Sequence, residues 1–342
     1  MNLFKIALPA TSAGRFERSG YSESLEGDEG FIFSLFGENM PLYKIPYDPD
    51  MPPLTDTETD AICCDNDNCV EWAEPVSVSR EEHIALVKGI VDHLKESDDK
   101  EETSCKIIAT RVLIADTHKS AATIYHDLCV AYPDAAVFLF STPYTGTWIG
   151  ASPELLLDFT PDRLMTVALA GTREASVCAR DAVREWDGKN IREQQIVTDF
   201  ITDLLRGHGY EVLTEGPFTR RAGRVEHICT AISALIHSKA PASPAELISE
   251  LSPTPALSGY PRHEAIEYIR SHERNPRHCY GGAVGYLSPD HVSAYVNLRS
   301  GRLLSHKSRI ALYAGGGITR DSIPAAEWDE TSRKLTTLLP HI

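Results

Sequence analysis

The chain has 342 residues, 33 of them Lys or Arg and 49 Asp or Glu, for a formal charge of −16. That acidity excludes a general surface for nucleic acid or for an anionic membrane, but it leaves room for a local basic pocket holding an anionic substrate. No apolar run approaches the length of a membrane span, so neither a membrane nor a nucleic-acid partner is expected.

The N-terminus, MNLFKIALPATSAG, carries one Lys and a short apolar piece broken by Pro9, which suits a first strand rather than a secretory signal. Eight scattered Cys fit a reduced, cytoplasmic setting. Residues 1–45 read as short strands between Gly and Ser turns, FIFSLFG being the clearest. Residues 46–78 cluster Pro, Asp and Asn and are expected to form a long irregular excursion. Cys63, Cys64 and Cys69 fall inside it, without a second ligand pair at zinc spacing, and are taken as loop residues. Residues 79–96 predict a helix, with Ser79 as cap and Ile84, Val87, Val91 and Leu94 at helical period.

Residues 106–115, KIIATRVLIA, predict a strand by their β-branched density. Alternation puts Lys106 on one face with Ile108, Thr110 and Val112. Such a Lys either marks a strand entrance, where it reaches back to water, or is a buried, reactive amine. A helix around 118–132 is followed by AAVFLFST, TWIGASPELLLDFT and RLMTVALAGT, which read as successive strands with Gly and Pro turns. Glu154 sits where a turn enters an apolar strand, either as an exposed edge residue or as a desolvated acid with a raised pKa. Residues 187–205 are the clearest amphipathic helix, with Ile196, Val197, Phe200, Ile201, Leu204 and Leu205 in its core stripe, Glu193 in line with that stripe, and Gly207 and Gly209 at its end.

Strands over 210–236, a short helix at 244–251 and a Pro/Gly-rich loop lead to a helix from about Arg262. Antiparallel strands then run to IALYAGGG at 310–317. Pro324 suits the first turn of a last helix, on which Glu327, Glu330 and Lys334 share one face. Backbone N–H groups suit an anion, carboxylates a hard divalent cation, and a Lys a carboxylate. The alternative is a solvated face with an i, i+4 Glu–Lys pair. Interspersed helices and adjacent antiparallel strands indicate α+β, with no linker or repeat to divide residues 1–342.

GASPELLL (150–157), ALAGTR (168–173), REQQIV (192–197), PTPALSGYP (253–261), AGGGI (314–318) and EWDETSRKL (327–335) occur in this order. From about residue 100 onward the sequence resembles the chorismate-utilising enzymes, and among them most the isochorismate synthases; residues 1–100 match only loosely. The resemblance implies one chorismate-binding domain in which two large antiparallel sheets pack together with helices outside. It implies Mg²⁺ held by Glu193 and Glu330, with Glu327 reaching it through water. Asn190 stands where the family has an acidic residue. By resemblance Arg299 and Lys334 receive the enolpyruvyl carboxylate beside Gly315 and Gly317. Gly171, Thr172, His227, Ala256, Leu257, Ser258 and Gly259 line the pocket, Lys106 is the base and Glu154 the acid. Lys106 and Ala256 favour the water-using branch over the ammonia-using one. The alternatives are a salicylate synthase, which continues to pyruvate loss, and a non-catalytic relative that binds an aromatic acid. Menaquinone and siderophore pathways are both open, and a monomer or weak homodimer is expected.

Overall fold

Strands β1 (Asn2–Ala7), β2 (Glu17–Ser22), β3 (Gly30–Phe33) and β4 (Tyr43–Pro46) precede helices α1 (Asp56–Cys69) and α2 (Arg80–Glu96). Next come β5 (Lys106–Asp116), α3 (Ala121–Ala131), β6 (Ala136–Thr142), β7 (Gly146–Ser152), β8 (Leu155–Thr160) and β9 (Arg163–Glu174). They are followed by α4 (Gly188–Gly207), β10 (Val212–Ala222), β11 (Val225–Leu235) and α5 (Pro244–Leu251). The chain ends with β12 (Gly259–Tyr260), α6 (Arg262–His272), β13 (Ala283–Ser288), β14 (His291–Val296), β15 (Ser300–Leu304), β16 (Arg309–Ile318) and α7 (Pro324–Leu335). The structure is a computed structural model and describes residues 1–9, 15–25, 27–96, 105–174, 186–222, 225–237, 240–304 and 308–342.

The strands form two eight-stranded antiparallel sheets, ordered β12-β5-β16-β15-β7-β6-β1-β2 and β10-β11-β9-β8-β14-β13-β3-β4. The α+β expectation of two large packed sheets therefore holds. Their facing sides share one core, with Phe4, Phe138, Phe140 and Trp148 from the first sheet against Phe31, Phe33, Leu157 and Leu164 from the second. Phe33 and Phe140 stack across it at 4.8 Å between ring centres. The first sheet is covered on its other face as well. Leu3, Val137, Leu139 and Ile149 meet Cys63 of α1, Ile124 and Leu128 of α3 and Leu335 of α7. Two buried faces explain why β6 reads as an unbroken apolar run: period-2 alternation sends successive side chains into different cores. Trp148, fully buried between the sheets, donates its indole N–H to the Thr145 carbonyl at 3.1 Å. Trp148→Ala is expected to cost about 3–5 kcal/mol in denaturant unfolding, through lost transfer energy and the cavity left behind.

The expected irregular excursion over 46–78 is overturned at its centre by α1. Thr55 caps that helix, and Glu58 closes the capping box. Apolar periodicity missed it because its buried side includes Thr59, Asn66 and Asp67. Asn66 donates to the Met1 carbonyl and to Ser141 Oγ, and Asp67 Oδ1 accepts from the Thr147 amide. A helix docked by hydrogen bonds needs no apolar stripe. Cys63 is buried, Cys64 half-buried and Cys69 exposed. They are helix residues, not the loop residues expected.

Candidate active site

Strand β5 is the last long strand at one side of the first sheet, hydrogen-bonded to β16 along its length and to the two-residue edge strand β12 at its start. Lys106 is its first residue and is only 1% exposed. The snorkelling alternative is therefore wrong, because β12 covers the strand entrance. Tyr260 pairs with Lys106, and Gly259 with Ile107. A Cβ on Gly259 would stand 2.2 Å from the Lys106 carbonyl oxygen, and its φ of +115° also favours glycine. Arg277 fastens the same region from beneath. It pairs with Glu273 at 2.6 Å and donates to the carbonyls of Leu257 and Ile108.

Glu154 lies between β7 and β8, 5% exposed. Its backbone is fixed by Val296 N–H, which donates to the Glu154 carbonyl, and by its own N–H on Ser152 Oγ. It shares one cavity with Lys106, and the walls include Gly171, Glu193, His227, Ala256, Leu257, Arg299, Gly315, Gly317, Glu330 and Lys334. Burial pushes Glu154 up to about 7, against the pull of Lys106, Lys334 and Arg299. Burial pulls Lys106 down from its ordinary value, against the opposing field of Glu193. The two groups thus move toward neutrality from opposite sides.

Three glutamates converge on the glycine run of β16 from two helices. A Cβ on Gly316 would stand 3.2 Å from Glu327 Oε2 and 3.7 Å from Glu330 Oε1; one on Gly317 would stand 3.3 Å from Glu193 Oε2. Glycine is needed here because the carboxylates occupy the space a side chain would take. Beyond Leu312 strand β15 no longer pairs with β16, so the glycines have a strand on one side only. Glu193 is held by its neighbour on α4: Gln194 accepts from the Ala170 amide and donates to the Ala168 carbonyl and Thr230 Oγ1, locking the helix to β9. The solvated reading of α7 fails, since Glu327 is 4% exposed and Thr331 fully buried.

Lys334 donates to the Gly315 carbonyl at 2.8 Å and pairs with Glu330 at 2.8 Å. Burial alone would lower its pKa, but Glu330 raises it above the ordinary value, so the amine stays charged. Arg299 adopts a left-handed φ of +48° and brings Nη2 to 3.3 Å from His227 Nε2. His227 Nδ1 lies 3.0 Å from the Gly171 carbonyl. A carbonyl only accepts, so Nδ1 carries the proton and Nε2 accepts from the guanidinium. Burial and the charges of Arg299 and Lys334 hold His227 down at about 4, consistent with that neutral tautomer.

Ser258 and Gly259 do not line the cavity with the others. The Ser258 hydroxyl is turned onto the carbonyls of Thr254 and Gly259, and both residues back the strand that carries Lys106. Thr172 belongs to β9, but its side chain lies outside the described residues. Glu327 lies beside the cavity, reaching the glycines from behind.

A family model described as chorismate binding enzyme matches residues 59–342. The chain belongs to the chorismate binding enzymes. The isochorismate synthase MenF of Bacillus subtilis is 33% identical over 210 residues, which cover 59% of this chain and 44% of that protein. The salicylate biosynthesis isochorismate synthase of Pseudomonas aeruginosa is 35% identical over 199 residues, covering 56% of this chain and 41% of that protein. The chain spans about half the length of the curated relatives it matches. The crystal structure of DhbC from Bacillus anthracis is similar in fold, with a TM-score of 0.70 and 21% identity over 99% of this chain and 83% of that one. The family match begins at residue 59 and so takes in most of α1 and all of α2.

In this chorismate binding enzyme a cation could be held by Glu193, Glu330 and Glu327. Among the described residues no three acidic, His or Cys groups form a ready-made cage. The donor set nevertheless fits a hard cation that keeps several waters and takes few carboxylates. Glu327 Oε2 is buried with no hydrogen-bond partner, an orphaned anionic oxygen at the edge of the cavity. Its other oxygen accepts from Lys189 at 3.1 Å and Ser322 at 2.8 Å. Burial pushes Glu327 up, with Glu330 adding to the shift and Lys189 opposing it.

Lys189 was missed by sequence reasoning. Its amine lies 3.6 Å from Glu193 and 3.1 Å from Glu327, supplying positive charge between the carboxylates. The i, i+4 spacing to Glu193 was a visible signal. The tie to Glu327, 138 positions along the chain, was not. Tyr280 and Tyr313 of the cavity wall were also missed, because each reads as an ordinary core aromatic.

Proposed function

We propose that the chain converts chorismate to isochorismate with Mg²⁺ as cofactor, an isomerase reaction. The observation that carries this reading is the pairing, in one cavity, of a buried lysine with lowered basicity and a buried glutamate pushed up to about 7. Neutral Lys106 accepts a proton from water as its oxygen bonds to ring C2. The C1–C2 double bond moves to C1–C6, the C5–C6 bond moves to C4–C5, and the C4–O bond breaks. Protonated Glu154 gives its proton to the departing hydroxyl, so one water is taken up and one released. Proton exchange with solvent then restores both groups. General acid and base steps of this kind contribute about 10²–10⁴ each. Arg299 and Lys334 bind the enolpyruvyl carboxylate, and the His227 acceptor holds the guanidinium in place. Glu193 and Glu330 would hold Mg²⁺, with Glu327 acting through water. Bound there, Mg²⁺ would neutralise the ring carboxylate and stabilise charge developing on the ring.

Chromatography of products from chorismate and Mg²⁺ tests the reading. Isochorismate is expected; salicylate with equal pyruvate would make the chain a salicylate synthase, and no turnover would favour a binding protein. For Glu330→Gln, calorimetry is expected to show Mg²⁺ affinity reduced by about tenfold or more, since even outer-sphere partners of a metal are worth about 10–100-fold. Unchanged affinity would remove Glu330 as a ligand.

A further inference from the structure

A second cleft opens beside the cavity, walled by the α3–β6 turn, the end of β10 and the C-terminal end of α7. Its lining holds Arg220, Arg221, Arg299, Arg333 and Lys334 against one acid, Asp134. In a chain with 49 acidic and 33 basic residues, five cations to one carboxylate is a local inversion of charge. The cleft is continuous with the inner cavity, because Pro153, Arg299 and Lys334 line both. Its outer cations, Arg220, Arg221 and Arg333, are exposed, whereas Arg299 and Lys334 are half-buried at the junction. Positive charge therefore runs from the surface to the place where a carboxylate would be received.

We propose that this cleft is the entrance for a small dicarboxylate and that Arg220, Arg221 and Arg333 capture it electrostatically before Arg299 and Lys334 bind it. The inference rests on the reading of the inner cavity as a chorismate site. Exposed cations in high dielectric hold an anion weakly but raise its local concentration and its rate of arrival. A net charge of −16 would otherwise repel a dianion, so the cleft offsets the field of the whole molecule. Focusing of this kind accelerates association by about 10–10³ and weakens as salt is added.

The test compares the full-length wild type with Arg220→Gln/Arg221→Gln/Arg333→Gln in steady-state turnover of chorismate across ionic strength. The variant is expected to lose about tenfold in kcat/KM at low salt, with kcat within about twofold and a flattened salt dependence. Equal kcat/KM and an equal salt slope would overturn the proposal. Should the triple variant fail to fold by circular dichroism, Arg333→Gln alone carries the comparison, with about a two- to threefold effect expected on the same measures. Should the wild type not turn chorismate over, the functional reading fails, and the entrance is judged by stopped-flow tryptophan fluorescence with benzene-1,3-dicarboxylate. Slower association in the variant would support it there, and equal association rates would sink it.

Discussion

Lys106→Met is expected to lose about 10²–10⁴ in kcat while folding at least as well as the parent chain. The two halves of this expectation have one cause. Lys106 is 1% exposed, and burial disfavours its charged form. An unbranched apolar side chain fills nearly the same space and leaves no amine to desolvate, so the thermal midpoint should hold or rise. A lysine kept only for packing would show the same stability and no loss of rate. Activity within tenfold of the parent would reject it as the base. Loss of folding would show that the field of Glu193 and Glu154 needs the amine, and Lys106→Arg, which keeps the charge, would then separate fold from chemistry.

Glu154→Gln is expected to cost a similar factor, about 10²–10⁴, and to change the shape of the pH profile. The sign follows from the direction of each shift. Glu154 must carry its proton, and with its pKa pushed up to about 7 the rate of the parent falls as pH rises through that value. Lys106 must be neutral, and its pKa is lowered, so the rate falls on the acid side as the amine takes up a proton. The parent profile is therefore a bell. Glutamine is isosteric and cannot donate an acidic proton, so the residual activity of the variant should lack the alkaline fall. An alkaline limb that persists unchanged would assign it to another group.

Helices α2 and α4 were legible because packing on one face imposes a period that survives in one dimension, and strand β6 because a short unbroken apolar run suits a strand buried on both faces. Helix α1 was not, because its buried side is docked through Asn66 and Asp67 rather than through an apolar stripe. Among the site residues, Glu154, Glu193, Glu327, Glu330 and Lys334 could be named from ordered motifs, whereas Lys189 lies outside them. Ser258 and Gly259 bear the same motif signature as Ala256 and Leu257, yet they stand behind Lys106 rather than in the cavity wall. Nothing along the chain separates a residue that touches a ligand from one that lets a strand approach closely. Only the 2.2 Å clearance at Gly259 shows that difference.

The linear order of residues determined the fold class, most of the strands and helices that carry it, and the residue types gathered in the motifs. Those properties depend on local propensity and periodicity, which neighbours in sequence already express. Tertiary structure decided which charges meet and how far they are desolvated. Glu193 and Glu330 come together only because α4 and α7 both pack over one glycine run. Lys106 and Glu154 acquire their opposite shifts only because one cavity, closed by two sheets, removes both from water. A pKa follows the dielectric and the charges within a few ångströms, and those neighbours are drawn from every part of the chain.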